Sequence, residues 1–162
     1  MDERQQSRAN ASWSDGVPAR GPWIVSRVEM VSTLARGHWP VARVELTHEK
    51  RGRIVEFGTG AGPVDAAFNA IAQILGVSAE VRSLEVQYQS PGHGMGLPTA
   101  AVEIEALVAG SSRCGRARTG DLLLSAIGAY LDAIDRAAAE LGQTSSPAVG
   151  ASSATCRWES WK

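Results

Sequence analysis

Between Trp23 and Leu141 one pattern is written twice, strand, strand, strand, helix, at a period of about 60 residues, and nothing else in the chain restricts its possible folds as much. In the first copy, Trp23 to Leu34 sets Val28 and Met30 against Arg27 and Glu29. Trp39 to Thr47 sets Ala42, Val44 and Leu46 against Val41, Arg43, Glu45 and Thr47. Both alternate as half-exposed strands do. The polar turn His48 to Gly52 leads to a third strand, Arg53 to Phe57, and then to a helix that Gly76 ends. In the second copy the strands are Ala79 to Gln89, Thr99 to Val108 and Arg113 to Arg118. The glycine-rich loop Ser90 to Pro98 and the turn Ala109 to Ser112 separate them. Thr119, Gly120 and Asp121 open its helix, whose apolar face is Leu123, Ala126, Ile127, Tyr130, Leu131, Ile134 and Ala138. A three-stranded antiparallel sheet with one helix is too small to bury its own apolar face, so the two units must pack with their helices together. The pattern therefore predicts an α+β fold of two βββα units related by a pseudo-twofold axis, with the cleft between the two helix starts as the place for a ligand.

The first helix start is the most unusual local stretch. Ile54, Val55 and Phe57 form strand, and Gly58, Gly60 and Gly62 then allow backbone angles closed to other residues. Pro63 suits the first helical position, and Asp65 sets a carboxylate in the first turn against the positive end of the helix dipole. Val64, Ala67, Phe68, Ile71, Ala72 and Leu75 lie on one helical face. Unpaired N–H groups beside such glycines form a physical basis for holding a carboxylate or phosphate, although the same residues also serve a plain tight turn. A phosphate loop is excluded, because Pro63 and Val64 stand where Lys and Ser or Thr are needed. A dinucleotide fingerprint is excluded because the spacing is Gly-x-Gly-x-Gly-Pro.

The run Gly58-Thr-Gly-Ala-Gly-Pro-Val-Asp-Ala66, followed by Phe68-Asn-Ala-Ile71, resembles the Gly-x-Gly-Pro-Val-Asp-Ala signature of the C-terminal regulatory domain of 2-isopropylmalate synthase. Citramalate synthase shares that domain. A second run, Gly120-Asp121-Leu-Leu-Leu-Ser125-Ala-Ile-Gly-Ala-Tyr130, is similar to the family's Asp-Ile-Ile-Glu-Ala-Ser-x-x-Ala-Tyr. The resemblance implies a dimerising module that senses leucine or isoleucine, with the βββα arrangement that the repeat predicts. It implies no condensing activity for these 162 residues, since catalysis in the family belongs to a metal-bearing TIM barrel that has no counterpart among them. The expected reading is a free-standing regulatory domain: a homodimer that works beside a separate synthase-like enzyme, with no cofactor, metal or catalytic residue of its own. The ligand carboxylate would meet amides near Gly60 to Val64, and its apolar side chain would meet Phe68 or Ile71. Gly58, Gly62, Pro63, Asp65, Asp121 and Ser125 complete the candidate ligand site. A helical apolar stripe is usually core, so plain packing is the more common reading of Phe68 and Ile71. The alternative is an assembly module that binds no small ligand and docks on a partner enzyme. A small enzyme using Asp121, Tyr130 or His93 lacks any visible nucleophile and base pairing.

The rest of the chain excludes more than it implies. A net charge of −1 makes a nucleic-acid partner unexpected, and Lys50, Arg51 and Arg53 suit a solvated hairpin turn. The N-terminus has no apolar stretch of the kind a signal peptide needs, and no 18-residue apolar run exists. A cytoplasmic protein without a membrane partner is expected. Cys114 and Cys156 are expected to stay unpaired in a reducing compartment. His38, His48 and His93 are scattered without metal-ligand spacing. Residues 1–22 and 142–162 are expected to be disordered tails around a domain at 23–141. Trp158 and Trp161 in the second tail suit either a docking peptide or a frayed end.

Overall fold

Alternation along the two central strands decides which face of each sheet meets a helix. In the computed structural model, which describes residues 23–31, 38–90 and 98–141, the order is β1 (Ile24–Val31), β2 (Val41–His48), β3 (Gly52–Thr59), α1 (Pro63–Leu75), β4 (Ala79–Gln89), β5 (Thr99–Val108), β6 (Ser111–Thr119) and α2 (Leu122–Leu141). Ala42, Val44 and Leu46 of β2 are fully buried beneath α1, and Val102, Ile104 and Ala106 of β5 are fully buried beneath α2. The sheets are antiparallel, ordered β1-β2-β3 and β4-β5-β6. Each helix lies across the second and third strands of its own sheet. The α+β fold of two βββα units is thus observed, with β3 and β6 each longer by a few residues than the pattern predicted.

The repeat extends to its irregularities. β1 breaks register between Val25 and Arg27, and β4 breaks it between Val81 and Ser83, at the matching place against the central strand. A bulge at the same position in both first strands bends both edges alike. The two helices meet in the middle of the molecule. Phe68 of α1 stacks on Tyr130 of α2 with ring centroids 4.3 Å apart and planes 14° apart. The Tyr130 hydroxyl donates to the Ala79 carbonyl at 3.2 Å, which ties α2 to the start of β4. Burial pushes the Tyr130 phenol up to about 12. At the far end of the first sheet, Trp23 packs on buried His48, with centroids 4.7 Å apart, and Arg51 lies over its ring.

Small residues let the helices approach the sheets closely. A Cβ on Gly58 would lie 2.2 Å from the Ala66 carbonyl oxygen and 2.4 Å from the Ala70 nitrogen; one on Gly115 would lie 1.9 Å from the Ala129 carbonyl oxygen. This corrects the expected role of the glycine turn. Positive φ occurs at Gly52, Gly76 and Gly110, and at Ala109, not at Gly58, Gly60 or Gly62. Gly62 is the extended N-cap of α1, with φ −147° and ψ 173°. At Gly58 and Gly60 the requirement is for the missing side chain. Gly76 does end α1 in the left-handed region, and its N–H serves the last carbonyls.

A second correction concerns the cysteines: Cys114, expected to stay reduced, is disulfide-bonded. It is half-exposed on the edge strand β6, where a partner sulfur can reach it. The tails at 1–22 and 142–162, Cys156, Trp158, Trp161, His93 and the end of the first expected strand lie outside the described residues. Among the described residues, no helix is long and apolar enough to cross a membrane.

Candidate ligand site between the units

The two helix starts are built differently. At α1 no side chain caps the helix, Pro63 and Asp65 are exposed, and Val64 is half-buried. Gly60 is filled by α1 itself, since a Cβ there would lie 2.5 Å from the Ala66 nitrogen. Gly62 has open space around it. Phe68 and Ile71 are core residues, Ile71 fully buried and Phe68 against Tyr130.

At α2 the side chains do the capping. The Asp121 carboxylate accepts from the Leu124 N–H at 2.9 Å, and the Thr119 hydroxyl accepts from the Asp121 N–H at 3.0 Å. Ser125, fully buried, accepts from the Thr119 N–H at 2.9 Å and donates to the Ala100 carbonyl at 2.8 Å. Its hydroxyl therefore joins β5, β6 and α2.

Of the ten candidate residues, Asp121 lines a cavity of about 390 Å³. The other walls are Leu123 and Leu124 from the first turn of α2, and Val25, Ser26, Arg27 and Val28 from β1. The cavity thus lies where the second unit's helix start meets the first unit's edge strand. Its volume falls within the range of small-molecule sites. The bulge gathers Ser26 and Arg27 to the same rim as Val25 and Val28. The Ser26 hydroxyl is hydrogen-bonded to that of Thr47 at 2.6 Å, and Arg27 is paired with Glu29 at 2.6 Å while remaining 62% exposed. Opposed charges, Arg27 and Asp121, therefore stand on the two sides of a wall of Val25, Val28, Leu123 and Leu124.

The β1 half of this cavity was absent from the expected site. Nothing local distinguishes Val25 to Val28 from any other half-exposed strand; only the packing of one unit on the other brings them to Asp121. Leu124 stands where the resembled family has a carboxylate, so the helix-start wall is more apolar here. Among the described residues, no group of three or more His, Cys, Asp or Glu side chains is placed to hold a metal.

Comparison with known proteins agrees with this architecture. The model of the LeuA allosteric (dimerisation) domain matches residues 22–138, which takes in both units and both walls of the cavity. The chain belongs to that family. Among curated relatives, the 2-isopropylmalate synthase of Ruminiclostridium cellulolyticum is 32% identical over 93 residues, 56% of this chain and 17% of that synthase. The 2-isopropylmalate synthase of Sediminispirochaeta smaragdinae is 33% identical over 85 residues, 52% of this chain and 16% of that synthase. The chain spans about a sixth of the length of these relatives. What it shares with them is the allosteric domain.

Proposed function

We propose that this domain is a dimerising regulatory module that binds a branched-chain α-amino acid, such as leucine or isoleucine, in the cavity between β1 and the start of α2, and that it carries out no condensation itself. The carrying observation is the composition of that cavity. Arg27 offers two donors to a carboxylate. Asp121 offers an acceptor to an ammonium group. Val25, Val28, Leu123 and Leu124 offer an apolar wall for an aliphatic side chain. A zwitterion with a branched tail satisfies all three at once. A 2-oxo acid has no ammonium group and would leave the exposed Asp121 carboxylate with no cation to pair with. The family's name supports a dimer. So do exposed apolar side chains on or beside both sheets: Phe57 and Val31 on the first, with Trp39 just before β2, and Tyr88 and Leu84 on the second. The synthases that share this domain support a working partnership with such an enzyme.

Calorimetric titration with leucine, isoleucine and valine tests the ligand. Binding is expected, with Arg27→Ala and Asp121→Asn each weakening it at least tenfold while the melting temperature without ligand changes little. Failure of all three amino acids to bind at millimolar concentration would overturn the sensor reading and leave assembly alone. Light scattering at micromolar concentration tests the dimer, and a monomer mass would overturn it.

A further inference from the structure

Both units begin with an edge strand, but the two edges are not covered alike. On the helix side of β1, Val25, Val28 and Met30 are half-buried and pack against the core. On β4, Leu84 lies opposite Ile104, Val86 opposite Val102 and Tyr88 opposite Ala100, which puts all three on the side that α2 occupies. α2 lies across β5 and β6 and leaves this stripe open: Leu84 is 38% exposed and Tyr88 68%.

β4 also lacks the devices that blunt an edge. Its bulge falls between Val81 and Ser83, so residues 83–89 form a regular run that is roughly 23 Å long. The run contains no Pro and no Lys, and Glu85 is its one charged residue. Such an edge can hydrogen-bond a further strand.

The pattern of the run selects that strand, because its polarity is symmetric about the middle residue, Val86. Let a second copy lie antiparallel, with a twofold axis between the two Val86 residues. On the helix side Leu84 then faces Tyr88 of the second copy, and Val86 faces Val86. On the other side Ser83 faces Gln89, and Glu85 faces Gln87. Apolar meets apolar, polar meets polar, and no two like charges are opposed. Other registers are worse. A slip by one residue sets the apolar side against the polar one. An axis at Glu85 opposes two glutamates, one at Leu84 draws the bulged Arg82 into the pairing, and one at Gln87 leaves Leu84 outside the run.

Resting on the dimer reading above, we propose that β4 is the surface on which a second copy docks. The two β4 strands pair antiparallel about Val86 and join two three-stranded sheets into one of six strands. The contact is isologous and therefore closes at two copies. The doubled row of Leu84, Val86 and Tyr88 covers on each copy what α2 leaves open.

Gln87 tests the register, since it is exposed and faces only Ala101 within its own sheet. Sedimentation equilibrium of the full chain gives the dimer dissociation constant. Gln87→Glu creates two opposed glutamate pairs per dimer and should raise that constant roughly threefold to tenfold; Gln87→Lys creates two Lys–Glu pairs and should lower it by a similar factor. Melting of each variant below its dissociation constant should match that of the wild type. In a second measurement Tyr88 is replaced by p-benzoylphenylalanine, irradiated, and the protein digested with trypsin. A covalent dimer of the peptide 83–113 is expected, which can arise only from two copies. A monomeric wild type would overturn the dimer reading and this surface with it. A dimer that is indifferent to both Gln87 variants, or that cross-links elsewhere, would overturn the surface alone.

Discussion

Substituting Gly115 by alanine adds one methyl group, and the structure states what that group meets. It would lie 1.9 Å from the Ala129 carbonyl oxygen, 2.4 Å from the Ala133 nitrogen and 2.9 Å from the Ala133 Cβ. Two of these are helix backbone atoms that no rotamer change can move. A carbon resting against a carbonyl oxygen needs about 3.3–3.6 Å, so α2 must retreat from β6 by about 1.5 Å. A gap of even 0.5–1 Å forfeits a quarter to a half of the dispersion well for each facing pair of atoms. The pairs at stake include the fully buried Ala126, Ala129 and Ala133. The loss should reach the upper end of the overpacking range, about 3 kcal/mol, against a gain of at most about 1 kcal/mol from the stiffer unfolded chain. In a domain of this size that lowers the melting temperature by roughly 10 °C. Gly58→Ala should behave alike, since its methyl group would meet the backbone of Ala66 and Ala70. Gly62→Ala is the control: the site is open and its φ is −147°, so a change within about 0.5 kcal/mol is expected. Urea unfolding of the three variants measures the differences. A Gly115→Ala protein within 0.5 kcal/mol of wild type would refute the argument from close approach.

Ser125→Ala leaves the Thr119 N–H and the Ala100 carbonyl without their shared partner; a loss of about 1–3 kcal/mol in urea unfolding is expected. Tyr130→Phe keeps the stack on Phe68 and loses the bond to Ala79, for about 1 kcal/mol. In the wild-type protein an ultraviolet titration should show one of its two tyrosines ionising only near pH 12. Asp135 is raised to about 6 by burial and then by the charge of Asp132, partly offset by His48. Between pH 4 and 6 the folded state therefore binds more protons than the unfolded one, and this group's contribution to stability falls as pH rises through that window; Asp135→Asn should flatten that part of the stability profile, and an unchanged profile would contradict the assignment.

The fold was legible because each of its elements announces itself locally. Pro63, Asp65 and Gly76 mark the ends of α1, and the structure places that helix at Pro63–Leu75. The alternation Ala42, Val44, Leu46 names the buried side of β2 without reference to any other strand. The pairing of the units was legible for a related reason: a three-stranded sheet with one helix leaves an apolar side that must be covered, and Phe68 against Tyr130 is where this happens. The glycine turn misled because two different needs select the same residue. A left-handed backbone and a missing Cβ both require glycine, and a sequence does not distinguish them. At Gly76 the need is conformational; at Gly58 it is steric, set by Ala66 and Ala70 one helix away.

The cavity shows the same division between local and relational information. Its helix-start half could be found, because Asp121 precedes an apolar helix and carries the capping chemistry in its own side chain. Its strand half could not. Arg27 is one of several arginines on the first sheet, where Arg43 and Arg53 also pair with carboxylates. What sets Arg27 apart is a bulge that breaks the register of an edge strand where the other unit's helix begins. The equivalent bulge in β4 lies beside Arg82, which pairs with Glu80. A bulge is therefore common to both first strands, and Arg27's place at the cavity needs more than it. The second requirement is a capped helix start bearing a carboxylate that faces the strand, and the units differ there: Asp121 caps α2 with its side chain, whereas α1 begins at an uncapped glycine and proline. Among the described residues, the carboxylate that lines the cavity opposite Arg27 thus comes from the helix start whose own side chain caps it.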